Sequence, residues 1–221
     1  MSVGTDKKRA NKLSKFSFEK IKSTMLKRVS NRHWSWFAFV MVLTTSLACD
    51  AIGRFGFVPM VFNSLTWIGF VVHELGHLAL RIAPPWFTVA GGTFFQLALP
   101  AGAIIMFIRQ RDDAAACFAV CWLAISLVHS ADYIADARIQ RLDMGMSANF
   151  WSMATQQSVR PDELSHDWEY LLSSVGMLEW DRLIATCVRS FAVLIAIGAT
   201  LVNGALLYLR VAVMFVGRGP A

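Results

Sequence analysis

Five apolar runs, residues 34–52, 60–82, 86–108, 114–137 and 183–211, take up most of this chain and constrain its fold more than any other feature. Each comes close to, or exceeds, the roughly 20 residues that an α-helix needs to cross a bilayer. In hydrocarbon the backbone finds no water to bond, so a spanning segment must satisfy its own N–H and C=O groups, as a helix does. The composition agrees, since 56% of the residues are hydrophobic and 16% charged, a balance far from that of ordinary soluble domains. The expected architecture is an all-α polytopic membrane protein with about five transmembrane helices.

The net charge of +6 is unevenly placed. Of the 21 Lys and Arg residues, 10 precede His33, where Asp6 and Glu19 are the only acids. Next to an apolar run, such a segment reads as a cytoplasmic flank attracted to anionic lipid, not as a nucleic-acid surface. Phe16, Phe18, Ile21, Met25 and Leu26 suggest a short helix lying on the bilayer within it. The chain divides into a basic segment 1–33, a membrane domain 34–211 that includes a long polar connection 138–181, and a tail 212–221. The expected location is the inner membrane of a bacterium, with the N-terminus cytoplasmic. Cys49, Cys117, Cys121 and Cys187 show no C-x-x-C spacing and read as small buried hydrophobes.

The second apolar run carries His73-Glu74-Leu75-Gly76-His77 in its later half. Residues four apart stack on one face of a helix, so His73 and His77 can offer two imidazoles to one metal ion, with Glu74 beside them as a general base. Ionisable groups inside a membrane helix are costly and mark function by default. A catalytic zinc site usually has three protein ligands and one open position. By depth in the membrane, the third ligand is expected from Asp136, then Asp132, then His129, with His166 available if its connection folds back. The first two share a face with His129, because the steps from 129 to 132 to 136 are helical. Alternation of the spans brings this stripe, the His73–His77 motif and the Gly91-Gly92 pair of the third run to one membrane face. The glycines permit close backbone approach, or a substrate-facing break. Gln96 is a candidate contact for a substrate backbone, and His166-Asp167-Trp168 a candidate lid.

With these residues in place, the chain resembles the site-2 protease family, the intramembrane zinc metallopeptidases. Members share three core membrane helices, the first bearing H-E-x-x-H and a later one an aspartate within an Asn-x-x-Pro then Asp-Gly pattern. Here His73-Glu74-Leu75-Gly76-His77 matches the first motif fully. Asp136 corresponds to the later aspartate in order and helix count, but Ala137 follows it, and His129-Ser130-Ala131-Asp132 replaces the Asn-x-x-Pro element. The resemblance covers about residues 60–140, with runs 60–82, 86–108 and 114–137 as the core. It implies a Zn2+ endopeptidase cutting a membrane protein or peptide in or near its transmembrane segment, with Glu74 as base and His73, His77 and Asp136 as ligands. The connection 138–181 is too short for an added peptide-binding domain, which leaves that task to a separate adaptor protein. Two other classes stay open on the residues alone: a metal- or haem-binding membrane protein without peptidase activity, and an inactive structural or transport protein whose polar residues satisfy one another.

Overall fold

The computed structural model describes residues 33–53, 59–142, 145–155 and 166–216, and every regular element among them is helical. Helix α1 is Trp34–Ala51, α2 Pro59–Ala79, α3 Pro85–Arg109, α4 Asp113–Ala135, α5 Gly145–Thr155, α6 Asp167–Ser174 and α7 Asp181–Val216, with a 3-10 turn at Leu178–Trp180. Helices α1, α3, α4 and α7 are long and apolar enough to cross a membrane. The chain is thus an all-α polytopic membrane protein. The helix expected over 60–82 is present as α2, with 21 residues, yet it is not among those four. The reason is chemical: Asn63, His73, Glu74 and His77 dilute its apolar character. The basic segment 1–32, with the surface helix expected there, lies outside the described residues. Two boundaries shift, since α7 continues to Val216 past the expected end at 211, and the connection 138–181 contains α5 and α6.

The helices pack in an order that leaves α2 at an edge. Helix α7 lies along both α4 and α1, α4 also packs on α3, and α2 rests chiefly on α3. Lipid tails give helices no hydrophobic reason to associate, so close contact between small residues has to supply the attraction. Ala119 and Ala124 of α4 and Ala192 and Ala196 of α7 are all fully buried, which lets the backbones approach. Cys117 and Cys121 join this core as expected, whereas Cys187 is exposed; all four cysteines are free thiols. A polar bridge adds to the packing of α1 and α7, where the buried Asn203 donates from Nδ2 to Thr44 Oγ1 at 3.4 Å.

Connections between spans are fixed by capping. Asp112 caps α4 by accepting from Ala115 N at 3.2 Å, and also accepts from Trp36 Nε1 of α1 at 3.3 Å. Pro85 occupies the first position of α3, where a missing N–H costs nothing. Arg138, just beyond α4, grips the buried Asp181 carboxylate at the start of α7 through two bonds of 2.8 and 2.6 Å. That fork holds the segment carrying α6 near the ends of α2 and α4.

Candidate metal centre

Three ligand-bearing side chains converge between α2 and α6. His73 and His77 place their Nε2 atoms 3.1 Å apart. Asp167, the first residue of α6, brings Oδ2 to 2.9 Å from His73 Nε2 and 3.1 Å from His77 Nε2. Among the described residues this is the group of His, Cys, Asp and Glu whose ligand atoms lie within 4.8 Å of one another.

The far side of each imidazole decides what faces inward. His77 Nδ1 donates to the Thr88 carbonyl at 2.9 Å, and His73 Nδ1 to Gln96 Oε1 at 3.2 Å. A neutral imidazole whose proton sits on Nδ1 presents a lone pair at Nε2. Two such lone pairs and a carboxylate oxygen then point at one place, an arrangement that can be satisfied by a metal cation or by a proton on one of the imidazoles. Oxygen partners behind the rings are also what orients histidine ligands in metal sites. Burial opposes the charge of Asp167, but a hydrogen bond from an imidazole that carries a proton on Nε2 outweighs burial and holds the carboxyl below the ordinary carboxylate range.

Glu74 is 3% exposed and faces a cavity of about 520 Å³ shared with His73, His77, Gln96, His129 and Tyr133. Helix α5 meets it from the other side. Ser147 Oγ donates to one carboxylate oxygen at 2.6 Å and Trp151 Nε1 to the other at 2.7 Å. A carboxylate has about four acceptor positions, so a lone pair remains on each oxygen for water or substrate.

Three glycines make room for the site. A Cβ on Gly92 would stand 2.5 Å from His77 Nε2 and 2.7 Å from His73 Cε1, and one on Gly76 would collide with the Gly91 carbonyl. A Cβ on Gly91 would in turn lie 2.8 Å from the Gly76 oxygen. The glycine pair therefore serves close approach within an unbroken α3, not a helix break. Gly92→Ala is expected to leave α3 helical, since alanine favours helix, but to displace both imidazoles and weaken metal retention by roughly the 10- to 100-fold range seen for outer-shell changes. Circular dichroism and elemental analysis of the same sample would check both halves.

The structure redistributes the residues expected at the site. His73, Glu74, His77, Gln96 and His129 line one cavity, and Gly91 and Gly92 lie against Gly76 and the two imidazoles respectively. Asp136 is not with the histidines. It caps the end of α4 and accepts from the backbone N–H groups of Arg141 and Leu142, each at 3.0 Å. Asp132 pairs with Arg189 of α7, outside the cavity. His129 stands in the cavity wall but outside the converging group. His166 caps α6, accepting from Glu169 N at 3.3 Å, and its Nε2 lies 3.6 Å from Asp136 Oδ2. Burial keeps its imidazole below the ordinary histidine range in spite of that carboxylate.

Asp167, Thr88, Ser147, Trp151 and Tyr133 complete the surroundings and were not singled out from the sequence as ligands or partners. The signal for Asp167 was its place beside His166 in the segment expected to fold back as a lid. Tyr133 anchors that segment, its hydroxyl accepting from Asp167 N at 3.2 Å. Compared with known proteins, the chain matches no family model, no curated protein and no solved structure.

Proposed function

We propose that this chain is an intramembrane zinc endopeptidase that hydrolyses a peptide bond in or near a substrate's transmembrane segment. The observation that carries the reading is the convergence of His73 Nε2, His77 Nε2 and Asp167 Oδ2 on one point, beside a buried glutamate in a cavity. Two imidazoles and a carboxylate form a donor set suited to catalytic zinc, which takes three protein ligands and leaves a position open. Zinc bound there would supply Lewis-acid polarisation of the scissile carbonyl. The protein groups do the rest. Asp167 offsets the cation's charge in a low-dielectric setting, while Thr88 and Gln96 fix the two rings. Glu74 takes up the proton of the attacking water at a carboxylate oxygen and returns it to the departing amine, with Ser147 and Trp151 holding the carboxylate in register.

This reading moves the third ligand from Asp136 to Asp167. The likeness to site-2 proteases then rests on the His73–His77 motif and on an aspartate contributed by α6. The basic N-terminal flank supports a cytoplasmic N-terminus in a bacterial inner membrane, and a separate adaptor would present the substrate. A haem held between His73 and His77 is disfavoured by geometry, because their nitrogens lie 3.1 Å apart on the same helix and leave no room for a porphyrin between them.

Elemental analysis of the purified protein is expected to find a single zinc per chain. Chelation should abolish cleavage of a membrane-peptide substrate, and added zinc should restore it. Metal-free protein that unfolds at the same temperature with or without added zinc or chelator would instead establish a self-satisfied polar cluster and end the peptidase reading.

A further inference from the structure

A second cavity, of about 850 Å³, lies on the opposite side of α4 from the metal centre, between α4 and α7. Among the described residues its lining includes two arginines and no acid. Arg182 and Arg189 are seven residues apart on α7 and so share a face, with Ser190 beside them. Further along the same groove the lining turns apolar through Val193 and Leu194. Leu194 is 69% exposed on a helix apolar enough to span a membrane, and so faces the bilayer.

The nearby acids do not neutralise this end. Asp181 is held by Arg138. Asp132 pairs with Arg189, but both side chains are about half exposed, and such a pair in a polar interface is weak and open to exchange. The groove thus has a cationic end where α7 enters the membrane and an apolar end about 18 Å deeper, from the 1.5 Å rise per residue between positions 182 and 194. A free anion would use only the first half, and an uncharged acyl chain only the second.

We propose that this groove binds an anionic phospholipid, its headgroup phosphate on Arg182 and Arg189 and an acyl chain along Val193 and Leu194. Guanidinium groups suit phosphate because they donate in a planar fork. The ligand would lie against α4, whose other face supplies His129 and Tyr133 to the metal cavity, and would brace that helix from behind. The site needs neither zinc nor peptidase activity.

The test uses the full chain in nanodiscs of phosphatidylcholine alone or of phosphatidylcholine mixed with phosphatidylglycerol, followed by unfolding temperature and by native mass spectrometry of retained lipid. The expected result is a higher unfolding temperature and one retained phosphatidylglycerol in the mixed bilayer. Both effects should vanish in R182Q/R189Q and remain, though weaker, in R182K/R189K, which keeps the charge but not the planar fork. If R182Q/R189Q does not fold, V193W, which fills the apolar end and keeps both charges, should also lose the retained lipid. Equal retention of the two lipids, an unchanged preference in the variants, or the same stabilisation by inorganic phosphate in pure phosphatidylcholine would overturn the proposal.

Discussion

Asp167→Ala is expected to empty the metal centre, and Asp136→Ala to leave it filled. Asp167 Oδ2 lies 2.9 and 3.1 Å from the two histidine nitrogens, so its removal deletes one of the three proposed ligands and, among the described residues, the carboxylate of that group. The loss should exceed the roughly 10- to 100-fold cost of disturbing an outer-shell partner. Asp167→Asn separates the two contributions, because it keeps the size and an oxygen but not the charge. Asp136 has a different job. Its carboxylate receives two exposed backbone N–H groups after α4, and losing such bonds costs about 0.5–1.5 kcal/mol of stability each without touching the histidines. Metal content of the variants, compared at matched folding, decides the matter. Retention of zinc by Asp167→Ala together with its loss from Asp136→Ala would return the third position to the end of α4.

Glu74→Gln is expected to keep the metal and lose cleavage, by about the 10²- to 10⁴-fold that a positioned acid–base group contributes. The neighbours on α5 make the substitution structurally tolerable. A glutamine oxygen can accept from Trp151 Nε1, and its amide can donate to the Ser147 hydroxyl, which is able to reverse its role. What disappears is a group that can take up a proton. Zinc content and turnover of a membrane-peptide substrate are the two readouts. Loss of both together would make Glu74 a structural or metal-holding residue, and proton transfer would need another owner.

Four of the five apolar runs were legible as spans because the bilayer imposes their length, and all five agree with the observed helices to within a few residues at most of their ends. The His73–His77 pair was legible because helical spacing alone brings two imidazoles together. Asp136 failed for a related reason. The counting that placed it on a stripe with His129 assumed a helix that continues, but α4 ends at Ala135, and Asp136 turns its carboxylate to the chain that follows. Asp167, Ser147 and Trp151 come from the connection 138–181, where no period relates sequence position to depth. Their arrival at the site depends on long-range ties, such as Arg138 to Asp181 and Tyr133 to Asp167, that leave no local pattern.

The glycines at 76, 91 and 92 have a consequence for how this protein tolerates change. At Gly76 and Gly91 the two helices meet backbone to backbone, so no rotamer change can absorb an added methyl group, and at Gly92 the methyl would press directly on the imidazoles. A saturation-mutagenesis profile scored by function would therefore rank these three positions with His73 and His77, although none of the glycines has an atom that could bind a metal or move a proton. Sensitivity to substitution and participation in chemistry are separate properties in such a site, and a profile of this kind would outline the contact line between α2 and α3 as sharply as the reacting groups themselves.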